Sequence, residues 1–510
     1  ILIDFLPPKP PNRGAKLENV FIPIPEENYE SDIDLISNKM ASKNIIYINS
    51  PPKIEYFSKK LISSMKIIDD LDISIACKDL SEYLHKDYAL IDCIKHGFVY
   101  HHGSVPDIVR LYIEHLFSEN EHISIIVTSS TLLEGVNIPA EKLFLLDYMK
   151  GRRKLSPSQF KNLSGRVCRF REMFDMENGS LSMLEPAIYM IGSDYVKDNS
   201  NIENFLIQSV KVDKTIKDDL QNVLLTETDL NDDNMHEKQK ADEILENIKK
   251  GITGGNANYA KTEVGKLCFL NNITEFSITE HENEIAEQLK SVEKHGLRNP
   301  EQLIHLISNA FISYIDKNHN DYSKLIRLKQ DSAQRFYSMF IKWRMRNASY
   351  SEMIRGFLDY WNREDTDKSV YVGKWGDTKK EGYNKMLWVD ISEKSIKQRV
   401  NLAIVRIKEE QDFLDNTIIK FLEVLYELEL VDEQMYLKIK YGTEDVKKIT
   451  MIKSGISSTL SSLLLDKYLS YVSVNIETNV IEIKSDIIQA MRLNGENNVL
   501  IFEVGFNIHN

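Results

Sequence analysis

Cysteine is scarce in this chain. The four copies, Cys77, Cys93, Cys168 and Cys268, stand far apart and form no CxxC pair. That argues against a disulfide framework or a zinc cluster and fits a reducing, cytoplasmic setting. Long apolar runs are also missing. None reaches the roughly eighteen residues a membrane-spanning helix needs, and no secretory leader is visible, so no membrane partner is expected. Positive charge is in deficit: 64 Lys and Arg face 77 Asp and Glu, for a net charge of −13. Any nucleic acid must therefore be met by a locally basic groove, because the overall field repels phosphate. A glycine-rich phosphate loop is absent as well. The segment "EVGKLC" (263–268) has the Gly-Lys but neither the upstream glycine nor the hydroxyl that GxxxxGK[ST] requires.

What is present describes a globular protein of several domains, 42% hydrophobic and 28% charged over 510 residues. Residues 1–30, with "LPPKPPNRG", read as a connector from a preceding domain. Over residues 31–195 apolar β-runs alternate with helical stretches. The strands expected are "NIIYIN" (44–49), "GFVYH" (97–101), "ISIIVT" (123–128), "KLFLLD" (142–147) and "AIYMIG" (187–192). Near-continuous apolar strands with intervening helices predict an α/β domain built on a parallel sheet. Residues 196–255 are acid-rich and read as a linker. The string starting at Asp229 fails as a calcium loop, with Asn234 in the glycine position and Lys240 in the glutamate position. Residues 256–348 and 349–510 read as two mainly helical domains.

Two segments carry chemistry. In "ISIIVTSSTLLEGVNIPA" (123–140) a strand ends in four hydroxyls and is followed by Gly135, Asn137 and Pro139. Hydroxyls at the carboxyl end of a parallel strand face the crevice where α/β sheets bind ligands. In "QFKNLSGRVCRF" (159–170) Ser156, Pro157 and Gln159 predict a capped helix start. Phe160, Leu163, Val167 and Phe170 form its apolar stripe, and at about 100° per residue Asn162, Arg166 and Arg169 share one flank beside Gly165. Cys168 reads as a small packing residue, since no histidine is nearby to activate it. Adjacent His101 and His102 point to opposite faces of a strand, one toward the core and one toward a site, and lack the third ligand a metal would need.

Together these segments resemble the second RecA-like domain of superfamily 2 helicases of the Ski2-like branch. "VTSSTLLEGVNIPA" resembles motif V and "NLSGRVCR" resembles motif VI. "YINSPPKIEYFSKKL" is similar to motif IV, and "FVYHHGSVPDIVRLYIEHLF" to motif IVa, all in order over residues 44–170. The resemblance implies a nucleotide held between two RecA-like domains. Arg169 would then be the arginine finger and Arg166 its companion, with Gly135 and Asn137 lining the ATP. Ser50, His102, Gly103, Thr128 and Ser129 would contact a DNA or RNA backbone. It also implies Mg2+, held by a first RecA-like domain, and a winged helix beginning at "NYAKTEVGKLCFLNNIT" (258–274) before a helical, ratchet-like domain. Bacterial helicases with this motif VI occur in Hachiman-type anti-phage systems with a nuclease partner.

Departures from the pattern are Cys168 in place of a glycine and Asn162 in place of a glutamine. No DExH box is usable, because "LELVDEQ" (428–434) lies far downstream of motif VI. The chain alone is therefore expected to be inactive toward ATP, and its start at Ile1 favours a first RecA-like domain upstream. The rivals are a non-catalytic nucleic-acid-binding scaffold and a motor completed by a partner chain. In the helical half, "FYSMFIKWRMRNASYSEMIRGFLDYW" (336–361) interleaves aromatic and basic residues, as a strand-tracking face or as a core with a basic rim. "ITMIKSGISSTLSSLLLDKY" (449–468) has a helix–Gly-Ile-Ser–helix rhythm that resembles a helix-hairpin-helix backbone binder with Ser457 in place of the second glycine, or is an ordinary helical turn, and "VSVNIETNVIEIK" (472–484) predicts a hairpin turning at Glu477–Asn479.

Overall fold

The computed structural model describes residues 2–4, 29–133, 140–150, 153–167, 187–192, 195, 202–210, 260–319, 321–363, 368–380 and 385–509. The chain divides into two compact units, each assembled from separated stretches. One gathers Ile1–Lys211, Ala348–Asp412 and Asp445–Asn510; the other gathers Val212–Asn347 and Phe413–Glu444.

The first unit is built on a six-stranded sheet. Its strands are β1 (Leu2–Asp4), β2 (Asn44–Tyr47), β3 (Phe98–His101), β4 (Ile125–Thr128), β5 (Lys142–Leu145) and β6 (Ala187–Met190). Their order is β1-β6-β5-β2-β4-β3. All pairs are parallel except β1 with β6. The five parallel strands are the five apolar runs of the sequence. Ile45, Ile46, Val99, Ile126 and Phe144 are wholly buried, as a sheet covered on both faces demands. β1 falls inside the stretch read as a connector; three residues give no periodicity to read.

Helices α1 (Asp32–Lys39), α2 (Pro51–Ile62), α3 (Leu71–Tyr83), α4 (Ala89–Lys95) and α5 (Asp107–Glu119) lie between or before these strands. α2 buries Ile54, Phe57 and Leu61, and α5 buries Val109, Ile113 and Phe117, at helical spacing. Gly97 enters β3 at φ +76°, and a Cβ there would stand 2.6 Å from Ile68 Cδ1 and 2.7 Å from the His122 carbonyl oxygen. Only glycine fits that turn.

Later stretches of the chain complete this unit. The Asn498–His509 helix is held to α3: Asn498 donates to Asp79 from its backbone (3.2 Å) and its side chain (2.9 Å). Phe502 stacks on His115 of α5 at 5.0 Å. The expected hairpin is present as Val472–Asn475 against Val480–Ile483, with Asn475 Oδ1 accepting from the Glu477 and Thr478 amides across the turn. The helix–Gly-Ile-Ser–helix pair also forms, Val446–Lys453 then Ser458–Lys467. The amide and hydroxyl of Ser457 at its turn already donate to the buried Glu503 carboxylate, at 2.6 and 2.8 Å.

The second unit is helical over its described residues. Glu263–Leu270, within the segment resembling a winged-helix start, is capped by Thr262. Gly265 is there for packing, since a Cβ would lie 2.4 Å from Ala260 Cβ and from Glu282 Oε2. In Asp331–Met345 the aromatics Tyr337, Phe340 and Trp343 are buried. Lys342 pairs with Glu301 and Arg344 with Asp415. Of the two readings of residues 336–361, the core reading therefore holds for Tyr337, Phe340 and Trp343, while Phe336 and Tyr350 are half-buried and Tyr360 is exposed. Phe357 and Trp361, in the first unit's Tyr350–Asn362 helix, are buried too.

Candidate nucleic-acid and nucleotide site

Parallel pairing brings the ends of three strands level. Tyr47 and His101 are both in register with Thr128, so β2, β3 and β4 finish at one rim of the sheet. The residues just past that rim are Ser50, His102–Gly103 and Ser129, four of the five expected strand contacts; Thr128 is the last residue of β4 itself. β2 connects toward β3 and its neighbour β5 toward β6, in opposite directions, so the topological switch point where open α/β sheets place ligands lies between β2 and β5, beside the β2 end of this rim.

The five differ in what they present. Ser50 is the N-cap of α2, and its hydroxyl makes no cap hydrogen bond. Gly103 is half-buried, and a Cβ on it would touch only Thr131 Cγ2 at 3.5 Å. The chain's own packing thus leaves room there. Thr128 (0% exposed) and Ser129 (3%) are buried, and Ser129 Oγ lies 3.3 Å from Thr131 Oγ1. His102 is also fully enclosed. Its Nδ1 accepts from the Ser104 amide at 3.2 Å, its ring stacks on Tyr100 at 5.4 Å, and its Nε2 lies 3.4 Å from Glu55 Oε1. Burial pushes its proton affinity well below the usual histidine range, helped by Lys374 and His101. Burial likewise raises the Glu55 carboxyl to about 8, against a hydrogen bond from Asn401.

His101, expected only as a partner of His102, is the hub behind the hydroxyls. Its Nδ1 lies 3.2 Å from Thr128 Oγ1 and 3.1 Å from Thr131 Oγ1. Its Nε2 sits 2.6 Å from Glu114 Oε1 on α5, both side chains being almost wholly buried. The Thr128 hydroxyl donates to the Ser129 carbonyl at 3.4 Å, so when Nε2 carries the ring proton toward the Glu114 carboxylate it is the Thr131 hydroxyl that is left to donate to Nδ1. Sequence reasoning missed Glu114, although an acidic residue amid the apolar face of α5 was the signal to follow.

The arginine segment starts as expected. Helix α6 (Pro157–Ser164) opens with a reciprocal capping box, Gln159 N to Ser156 Oγ at 3.2 Å and Ser156 N to Gln159 Oε1 at 3.0 Å. It ends sooner than the stripe suggested, with Gly165 as its C-cap. Val167 leaves the helix for a parallel bridge to Ala140, tying the end of the "VNIPA" segment to the arginine segment. Arg166 therefore sits on a turn, not on a helix flank. Its guanidinium is half-buried, which lowers its proton affinity, and Glu114 opposes that shift electrostatically. Arg169, Cys168, Gly135 and Asn137 lie outside the described residues. A short ladder, Met149–Lys150 with Arg153–Lys154, adds exposed cations between the two segments that sequence reading had passed over. The α7 helix (Ile202–Val210) packs on α6, with Phe205 edge-on to Phe160 at 5.7 Å and stacked on Tyr148 at 4.7 Å.

Among the described residues no group of three or more His, Cys, Asp or Glu side chains is arranged to hold a metal ion. Nor is any described helix long and apolar enough to cross a membrane.

No family model matches the chain. It is similar to the ATP-dependent DNA helicase Hel308 of Thermoplasma volcanium, 28% identical over 145 residues, covering 27% of this chain and 21% of that protein. A Helicase POLQ-like protein of Caenorhabditis elegans is 34% identical over 83 residues, 16% of this chain and 9% of the relative. The human U5 small nuclear ribonucleoprotein 200 kDa helicase is 34% identical over 74 residues, 14% and 3%. The matched stretch thus spans about a fifth or less of these curated relatives. At that level the chain is helicase-like.

Proposed function

We propose that this chain is the part of a Ski2-like, ATP-dependent nucleic-acid helicase or translocase that supplies strand contacts and the arginine finger. The observation that carries the reading is the shared rim: Ser50, Gly103 and Ser129 follow three strands that end level, backed by the His101 hub. Gly103 and Ser50 would meet the sugar-phosphate backbone. Thr128 and His102, being enclosed, would act by fixing the turns that present those contacts.

For the nucleotide, Arg166 fits as a phosphate partner, because a half-buried arginine stays charged and keeps a planar fork of donors. Arg169, Gly135 and Asn137 would complete the ATP contacts. ATP supplies the phosphoryl group whose transfer drives movement, and the arginines would stabilise charge that develops there. The described residues do not fit a magnesium site, so Mg2+ would be held elsewhere in the intact motor. An antiviral setting with a nuclease partner and a winged helix in the second unit remain parts of the proposal supported by resemblance alone.

The test is Arg169→Ala in the intact protein. Loss of strand-stimulated ATP hydrolysis by about a thousandfold, with strand binding retained, is expected. Turnover near that of the unmodified protein refutes the finger. Strand binding without any stimulated hydrolysis in the intact, unmodified protein would favour the scaffold instead.

A further inference from the structure

Three donors converge on one carboxylate oxygen beside the Gly103 turn. Glu409 Oε1 accepts from Ser104 Oγ at 2.9 Å and from Trp375 Nε1 at 2.8 Å, and it lies 3.0 Å from Lys374 Nζ. Ser104 belongs to the turn that follows β3. Lys374 and Trp375 come some 270 residues later, from the short Gly373–Trp375 turn beside the strand pair Ser369–Tyr371 and Trp388–Asp390. The Trp375 ring also packs on His102 at 5.6 Å and 51°. Gly376 makes the turn tight enough, since a Cβ there would lie 2.5 Å from the Leu387 carbonyl carbon.

From this placement we infer that Lys374 and Trp375 form a second contact for a single nucleic-acid strand, continuing the path past Gly103. This rests on the strand path proposed above and names residues that path did not include. The chemistry fits. Trp375 is half-buried, its ring against His102 and under the Lys374 ammonium at 5.8 Å, so cation and aromatic surface stand together at a partly open position. Lys374 is about half exposed, so its ammonium can use its remaining protons on a phosphate. Lys379 and Lys380 follow on the same connection, and Lys380 lies over the Trp388 ring at 6.0 Å. Aromatic faces interleaved with lysines are what strand binding without sequence preference uses. In a chain of net charge −13 these lysines supply the local positive charge that binding requires. Because Glu409 ties Trp375 and Ser104 to one atom, the two contacts hold a fixed spacing.

The experiment uses the full chain with labelled oligo(dT) and oligo(U), read by anisotropy from about 50 to 200 mM salt. Lys374→Gln should weaken binding and reduce the log–log salt slope by about 0.7, the value of one phosphate contact on a single strand. Lys78→Gln, on an exposed lysine of α3, should leave the slope unchanged. Iodouracil-substituted strands, irradiated on the unmodified chain, should label Trp375. An unchanged slope for Lys374→Gln, or labelling that bypasses Trp375, overturns the inference while leaving the strand path of Ser50 and Gly103 standing. No binding of either strand by the unmodified chain removes both. The DNA and RNA arms show which backbone the patch prefers.

Discussion

Replacing Glu114 isolates the hub from the rest of the sheet. In Glu114→Ala, His101 Nε2 loses the carboxylate oxygen 2.6 Å away and has no hydrogen-bond partner elsewhere. Arg166 loses the carboxylate that offsets its burial. Leaving the buried His101 N–H without its acceptor costs about 1–3 kcal/mol. Glu114→Gln keeps an oxygen acceptor in the same place. A charged acceptor is worth about 1.5–3 kcal/mol and a neutral one about 0.5–1.5, so this change should cost about 1–2 kcal/mol. Hydrogen exchange at the β3 and β4 amides reads the opening of this unit separately from the other. Protection there should fall by about tenfold to a hundredfold for alanine, and by less for glutamine. Equal losses for both, or a loss under about tenfold for alanine, would refute the electrostatic account and leave Glu114 as filler.

Other expectations are simpler to check. Gly97→Ala should destabilise by at least about 1 kcal/mol, because its φ is +76° and its Cβ space is filled, whereas Gly103→Ala should leave the unfolding midpoint unchanged yet weaken strand binding. Ser156→Ala removes half of the capping box and should cost about 1 kcal/mol, seen as faster exchange in α6. Burial raises Glu503 from 4.5 to about 6, so the folded chain holds that proton more tightly than the unfolded one. Its contribution should therefore fall as pH rises from about 4.5 through 6, and Glu503→Gln should abolish that part of the pH dependence of the urea midpoint.

The five parallel strands were legible because each is a bare apolar run, a pattern that covering on both faces imposes. The capping box was legible because it needs only two side chains three residues apart. The end of α6 was not, because Val167 satisfies a helical stripe and a bridge to Ala140 equally well, and only tertiary pairing chooses. His102 was misjudged for a similar reason. Alternation along β3 separates the two faces correctly, but the face that was to be open is closed by Trp375 and Asn401, far away in sequence. Residues 336–361 show the same limit: spacing left a core and a strand-tracking face both open, and tertiary packing decided position by position, burying Tyr337, Trp343 and Trp361 but leaving Tyr360 exposed.

The sheet unit is stitched from three lengths of polypeptide, with the second unit's segments lying between them. Cutting after residue 210 would therefore not release a free-standing module. It would strip Asn498 from Asp79, Phe502 from His115, and the Glu409 anchor from Ser104. During synthesis the rim must likewise wait for its last buttress, since the turn at Gly103 is held by residues that leave the ribosome some three hundred positions later.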